Sequence, residues 1–476
     1  MNMNPVNRVN LVILSLLVFV IQPVTFAQVE PLIQREMRER RIPGVQVAVV
    51  KDGKIVLLKS FGTADIQRSL PVTNKTVFPI YSCTKAFTGV AIMQLVEDGK
   101  IDLSASVSRY LDGLPPAWQK ITIRQLLTHV SGLPNILNVL DPVTYGLPHG
   151  MNEEQLWTKL KSLPVNSPPG ERFSYNQTNY YLLGKVIEKV TGKPFTQVFN
   201  ERQFQIAGLH STGFGDSRDV IPNLTPTYRY VNEKLVKDYA EFPPFRRTAS
   251  GMNSTAEDLA RWIIALQHGK LLKTKSALET LWTAGTFNNG QPTLWANGWM
   301  AKPRPKHRAV AATGGSRAAF FVYPADDFAV IVLTNLAGAY PEDFIDELAG
   351  YYKPEIAASD PVTALRMELR QRGYEHAIEV YQELKRKDPQ FQPLENDLNE
   401  WAYRMMNGGG KPKEALEIFK LNVFLYPNSA NVYDSVAEAY AVNGDRELAI
   451  KNYERSLELD PQNTNAVQQL KKLNPE

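Results

Sequence analysis

A chain of 476 residues is longer than one hydrophobic core ordinarily supports, so two folded units are expected. Hydrophobic residues make up 43% and charged residues 21%, a globular composition that excludes a disordered chain and a multi-pass membrane protein. The 53 Lys and Arg stand against 49 Asp and Glu, and the resulting charge of +4 is too even for the basic footprint of a nucleic-acid-binding protein.

At the N-terminus one cation, Arg8, precedes an apolar run over residues 11–21 and then Thr25-Phe26-Ala27, with small residues where a signal peptidase reads. Residues 1–27 are therefore read as a secretory signal peptide cut after Ala27, the apolar run being short for a membrane span. The lone cysteine, Cys83, permits no internal disulfide. Export without disulfides suggests a bacterial envelope protein, periplasmic or secreted.

Residues 45–50 and 55–58 are β-branched, apolar runs joined through Lys51-Asp52-Gly53-Lys54, and Asp-Gly between such runs signals a hairpin. Ser82-Cys83-Thr84-Lys85 then opens a helix whose apolar face is Phe87, Val90, Ala91 and Leu95 and which stops at Gly99. Residues three apart share a helix face, so the lysine amine can lie beside the serine hydroxyl. A serine hydroxyl is a poor nucleophile until a base takes its proton, and a desolvated lysine has its pKa lowered enough to be that base. Ser82 is the candidate nucleophile and Lys85 its candidate base, although Ser-x-x-Lys taken alone also fits an ordinary exposed helix start. Cys83 points about 100° away around the helix and is expected to pack.

Far downstream, Ala312-Thr313-Gly314-Gly315 leads through Ser316-Arg317 into a strand over residues 319–323, which the turn Pro324-Ala325-Asp326-Asp327 returns as residues 328–334. Strands at both ends of one unit with helices between them predict an α+β fold, an antiparallel sheet flanked by helices with an all-helical insertion. No two of the six histidines are spaced as metal ligands on one helix, so neither a metal nor a cofactor is expected.

From about Tyr352, Lys353-Pro354-Glu355 and Ser359-Asp360-Pro361 punctuate the chain and only helix pairs follow. The domains are drawn at 28–352 and 353–476. Ala449, Tyr453, Ser456 and Pro461 repeat Ala415, Phe419, Asn422 and Pro427 at an offset of 34 residues, the tetratricopeptide period. Tyr433, Val436, Ala437 and Tyr440 occupy the first-helix positions of the last unit, and an earlier, degenerate unit carries Ala377, Tyr381, Leu384 and Pro389. Such an all-α stack either offers a surface to a protein or peptide partner or caps the first unit, and it is expected to be separable.

The segment Pro169-Gly170-Glu171-Arg172-Phe173-Ser174-Tyr175-Asn176-Gln177-Thr178-Asn179-Tyr180-Tyr181-Leu182-Leu183-Gly184 closely resembles the second signature of class C β-lactamases and the related esterases and D-Ala peptidases. Leu126-Leu127-Thr128-His129-Val130-Ser131-Gly132-Leu133 is similar to the same family, and with the Ser82 motif these stretches fall in its order over roughly residues 30–350. By that resemblance Tyr175 shares protons with Ser82 and Lys85, its phenol pKa lowered by the neighbouring lysine. Gln177 stands where the family usually has Asn, keeping the amide on a longer arm. Ala312-Thr313-Gly314-Gly315 matches the third, substrate-binding signature with Ala312 in place of the family's cation. Thr313, Gly314 and Gly315 then border the substrate, and the N–H of Gly315 joins that of Ser82 in an oxyanion hole. Arg317 is the nearest replacement cation, although strand alternation sets it on the opposite face unless the glycines bend the chain. His129 lies in a loop that looks structural in the family.

The resemblance implies two-step acyl transfer on a small ester, amide, D-amino-acid peptide or β-lactam. Loss of the cation at Ala312 disfavours β-lactams, whose carboxylate it would face. The competing reading is a catalytically weak or inactive penicillin-binding-like module whose repeats carry the function.

Overall fold

The computed structural model describes residues 26–239 and 241–474, so nearly all of the signal-peptide reading lies outside the described residues. Helix α1 (Phe26–Glu39) leads into the hairpin of β1 (Gly44–Lys51) and β2 (Lys54–Asp65). Asp52 and Gly53 both adopt positive φ, 50° and 67°, and Lys51 pairs with Lys54 across the turn that Asp-Gly signalled. β3 (Leu70–Pro71) follows, and β4 (Met300–Lys302), β5 (Ala309–Gly314), β6 (Ala318–Tyr323) and β7 (Phe328–Thr334) come from the far end of the unit. One seven-stranded sheet results, in the order β3-β2-β1-β7-β6-β5-β4. β1 and β7 pair antiparallel from Val45 opposite Thr334 to Lys51 opposite Phe328. The two ends of the unit therefore meet at the middle of the sheet, and the helices between them form the insertion expected of the α+β class.

Alternation along β1 divides its side chains between two cores. Val47 and Val49 pack with Leu32 and Ile33 of α1, whereas Ala48 and Val50 pack with Phe87 and Val90 of α2 (Thr84–Glu97). Both faces are covered, which is why residues 47–50 are all apolar rather than alternating, and the one polar side chain of the run, Gln46, is buried with its amide bonded to the carbonyl of Thr76 and the N–H of Ala256. α2 departs from its one-faced reading: every residue from Thr84 to Leu95 is buried, so it is the central helix of the molecule. Gly89 lets it seat, because a Cβ there would lie 2.1 Å from the carbonyl oxygen of Asn297. α3 (Gln177–Thr191) is capped by Asn176, whose side chain accepts from Thr178 N, and ends at Gly192 with φ 68°.

The regular structure of the C-terminal region is all helical and includes α4 (Pro361–Arg372), α5 (Glu395–Asn407), α6 (Pro412–Leu425), α7 (Ala430–Val442) and α8 (Arg446–Leu459). The residues that repeat at 34 are buried in register, Ala415, Phe419 and Asn422 on α6 with Ala449, Tyr453 and Ser456 on α8. Their polar members play the same part. Asn422 Nδ2 donates to the carbonyl of Glu395 and Ser456 Oγ to that of Ala430, each the first residue of the preceding helix.

The tail is bound to the first unit by buried ion pairs. Arg304 joins Asp346 and Asp360 at 2.6 and 3.1 Å, and Arg370 bridges Glu36 of α1 and Glu347. Arg404 of α5 pairs with Asp343, and at the surface Lys411 reaches Glu39 at 2.9 Å.

Candidate active site

Ser82 sits on a three-residue turn, Tyr81–Cys83, that runs directly into α2. Tyr81 before it is held at φ 46°, a conformation that a bulky side chain adopts only under constraint. The turn presents Ser82 as the partly exposed residue at the head of a helix otherwise buried. One helical turn on, Lys85 is completely buried, with its Nζ 3.4 Å from Ser82 Oγ.

The surroundings of Lys85 define its proton state. Nζ donates to Gln177 Oε1 at 2.8 Å and to the carbonyl of Ala249 at 2.9 Å, and its remaining tetrahedral direction is toward Ser82. Burial, aided by the positive charge of Arg246, pulls its pKa well below the ordinary lysine value. A neutral amine has two N–H bonds and one lone pair. In that form the two carbonyl acceptors take both N–H bonds, and the lone pair is left for the serine proton.

Tyr175 lies on the other side of this group, its ring 4.7 Å from Lys85 Nζ, and its hydroxyl is hydrogen-bonded with Ser82 and Gln177. The expected lowering of its pKa is not found. Burial raises it, with the bonds to Ser82 and Gln177 opposing, and the burial of Lys85 disfavours the positive charge that would have lowered it. Burial thus favours the neutral form of both groups, the Tyr175 phenol and the Lys85 amine. Gln177 bridges the two, so the longer amide arm still reaches the lysine.

The strand β5 borders Ser82 through Gly314. A Cβ on Gly314 would lie 2.0 Å from the carbonyl oxygen of Ile80 and 3.1 Å from Ser82 N, so only glycine lets the strand come this close. Alternation puts Ala312 on the same face as Gly314. Gly315 and Ser316 take φ of 55° and 54°, and this bend brings Arg317 back to the Ser82 side. Its guanidinium is already engaged: it donates to the carbonyl of Gly315, pairs with Asp238 and lies 4.8 Å over the Tyr81 ring. Arg317 thus shapes the wall without offering a free charge. Thr313 faces away from Ser82, into a cleft of about 530 Å³ that Tyr175 and Trp295 share with Glu400 and Trp401 of the tail. Ser82 itself opens on a different cavity of about 220 Å³, with Gln177, Gly315 and Arg317.

His129 supports the site without entering it. Its Nδ1 accepts from Asn176 N at 3.1 Å, its ring lies 4.5 Å from that of Tyr175, and burial drives its pKa well down. Cys83 is buried, and its Sγ contacts the carbonyl of Ala318. No cluster of His, Cys, Asp or Glu able to hold a metal is present among the described residues.

An antiparallel sheet with an inserted helical layer, and a serine and lysine on a helix at their junction, define the β-lactamase and penicillin-binding-protein class of serine hydrolases. The chain belongs to the beta-lactamase family, whose sequence profile matches residues 29–350. Protein flp of Staphylococcus aureus (strain MW2) is 26% identical over 328 residues, 67% of this chain and 65% of the relative, so the chain spans about two thirds of its length. Among solved structures, the octameric penicillin-binding protein homologue from Pyrococcus abyssi is 25% identical with a TM-score of 0.61, the match covering 72% of this chain and 81% of that one. EstCE1, a hydrolase with promiscuous acyltransferase activity, shares the fold at 23% identity and a TM-score of 0.58, over 68% of this chain and 98% of its own.

Proposed function

We propose that the protein is an exported hydrolase that cleaves small esters or amides through an acyl-enzyme on Ser82. The observation that supports this best is the setting of Lys85: it is buried, its pKa is pulled well down by that burial, and its Nζ lies 3.4 Å from Ser82 Oγ with Gln177 Oε1 and the Ala249 carbonyl as its other partners. Lys85 takes the serine proton as Ser82 attacks the substrate carbonyl, and the N–H groups of Ser82 and Gly315 receive the oxyanion. The lysine is now an ammonium beside Tyr175, which makes the phenol more acidic at the moment an acid is needed. Tyr175 protonates the departing alcohol or amine and regains its proton from Lys85. Water then attacks the acyl-enzyme by the same relay in reverse. Export rests on the composition of residues 1–27. The tail is read as tetratricopeptide-like repeats, for which a peptide or protein partner belongs to the same proposal.

Esters and amides without a carboxylate on the leaving group are the favoured substrates, because Ala312 supplies no cation and Arg317 is spent on Asp238. A charge-assisted hydrogen bond is worth about 1.5–3 kcal/mol, or roughly ten- to a hundredfold in preference. The test is kcat/KM for a neutral 4-nitrophenyl ester against a chromogenic cephalosporin. Turnover of the ester with weak or no cephalosporin hydrolysis is expected, and a preference for the cephalosporin contradicts the substrate assignment.

A further inference from the structure

Arg246 is a buried cation with no counter-ion, and it lies in the wall of the cavity onto which Ser82 opens. It is 7% exposed. NH1 donates to the carbonyls of Tyr145 and Glu241 at 2.7 and 3.0 Å, the guanidinium lies 5.7 and 5.3 Å from the rings of Tyr145 and Phe242, and Nε has no partner. Among the described residues no carboxylate pairs with it. Its neighbours differ: Arg247 pairs with Asp219, Arg218 with Asp216, and Arg317 with Asp238. Ser250 Oγ, also buried and without a partner, lines the same cavity.

A buried charge without a partner costs several kcal/mol, so its persistence in a reaction cavity calls for an anion that arrives with the substrate. Which part of the substrate carries that anion follows from the layout. Ala312 is neutral and Arg317 is paired with Asp238, so the leaving-group side has no free cation, whereas Arg246 lines the cavity holding Ser82, Gln177 and Gly315. The anion that meets Arg246 is therefore assigned to the acyl part of the substrate.

We propose that Arg246 is a specificity residue that binds a carboxylate carried on the acyl part of the substrate. The substrates are then esters or amides of dicarboxylic or acidic amino-acid acyl groups. This rests on the hydrolase reading above and deepens it.

The test compares the 4-nitrophenyl monoester of glutaric acid with that of pentanoic acid, which has the same chain length and no charge. The ratio of their kcat/KM values cancels any effect of Arg246 on Lys85, since both esters use the same base. In the native protein the ratio favours the glutaryl ester by about tenfold or more, falls to near one in Arg246→Gln and is partly restored in Arg246→Lys. A native ratio at or below one overturns the proposal without any variant having to fold. Glutarate binding by calorimetry to Ser82→Ala, and its loss in Ser82→Ala/Arg246→Gln, tests the site without turnover. Ester hydrolysis with neither discrimination nor glutarate binding leaves the hydrolase standing and removes the Arg246 site. Glutarate binding dependent on Arg246 without hydrolysis of either ester does the reverse.

Discussion

Lys85 is buried beside Arg246 with no carboxylate to hold a charge on it, and its basicity sets the pH range in which the site can work. The protonated form has no lone pair for Ser82, so kcat/KM on a neutral ester must rise with pH through the pKa of Lys85. Because that pKa lies well below the ordinary 10.5, the rise is complete before an unperturbed lysine would deprotonate. A pH profile whose acid limb is centred near 10.5 contradicts the assignment. Removing Arg246 takes away a like charge, so the limb moves to higher pH in Arg246→Gln. Ser82 and Lys85 were legible because helical spacing alone puts them on one face. Arg246 was not, since nothing in Phe245-Arg246-Arg247 tells which arginine is buried or which finds an acid. The direction of the Tyr175 shift was missed for a related reason: it depends on how deeply the phenol is enclosed, and sequence does not state enclosure.

Three elements converge on Ser82, and the closeness of β5 is set by one missing side chain. In Gly314→Ala the new Cβ meets backbone atoms, the Ile80 carbonyl at 2.0 Å and Ser82 N at 3.1 Å, so strand or turn must shift. Overpacking of this kind costs about 1–3 kcal/mol of stability. The displaced oxyanion donor is expected to cost about ten- to a hundredfold in kcat. Unchanged kcat and Tm in Gly314→Ala would show that the strand does not border the nucleophile as described. The hairpin at Asp52-Gly53 and the strand pairs at each end of the unit were readable from turn chemistry and apolar runs. That β1 and β7 lie side by side was not, because their pairing joins residues nearly 300 positions apart. The full burial of α2 depends on the same closure.

At the scale of the molecule, the tail is anchored by charges whose partners lie on the first unit. Burial alone would raise the Glu36 pKa, but Arg40 and Arg370 outweigh it and hold the carboxyl at about 2; Arg304 does the same for Asp360, also at about 2. Both carboxylates therefore contribute stability that is complete above their unfolded pKa near 4 and is lost as pH falls toward 2. Ending the chain at Lys353 leaves Glu36 and Glu347 without Arg370, Asp343 without Arg404 and Arg304 without Asp360. The sequence-based expectation of a separable tail is thereby qualified: the truncated hydrolase is expected to fold with a Tm lowered by about 5 °C or more at pH 7. The gap between full and truncated chains should narrow at pH 3. An equal gap at both pH values, or none at pH 7, would show that the ion pairs do not hold the tail. The repeat period was visible in the sequence. The anchoring was not, because nothing in the sequence tells which acids the fold brings to Arg304, Arg370 and Arg404.

The central claim is that Ser82 is an activated nucleophile, and a fluorophosphonate probe followed by peptide mapping tests it most directly. One covalent adduct on Ser82 is predicted in the native protein, absent from Ser82→Ala, strongly slowed in Lys85→Ala and retained in Cys83→Ala. No adduct in the native protein, or an adduct on another residue that survives Ser82→Ala, would contradict the account.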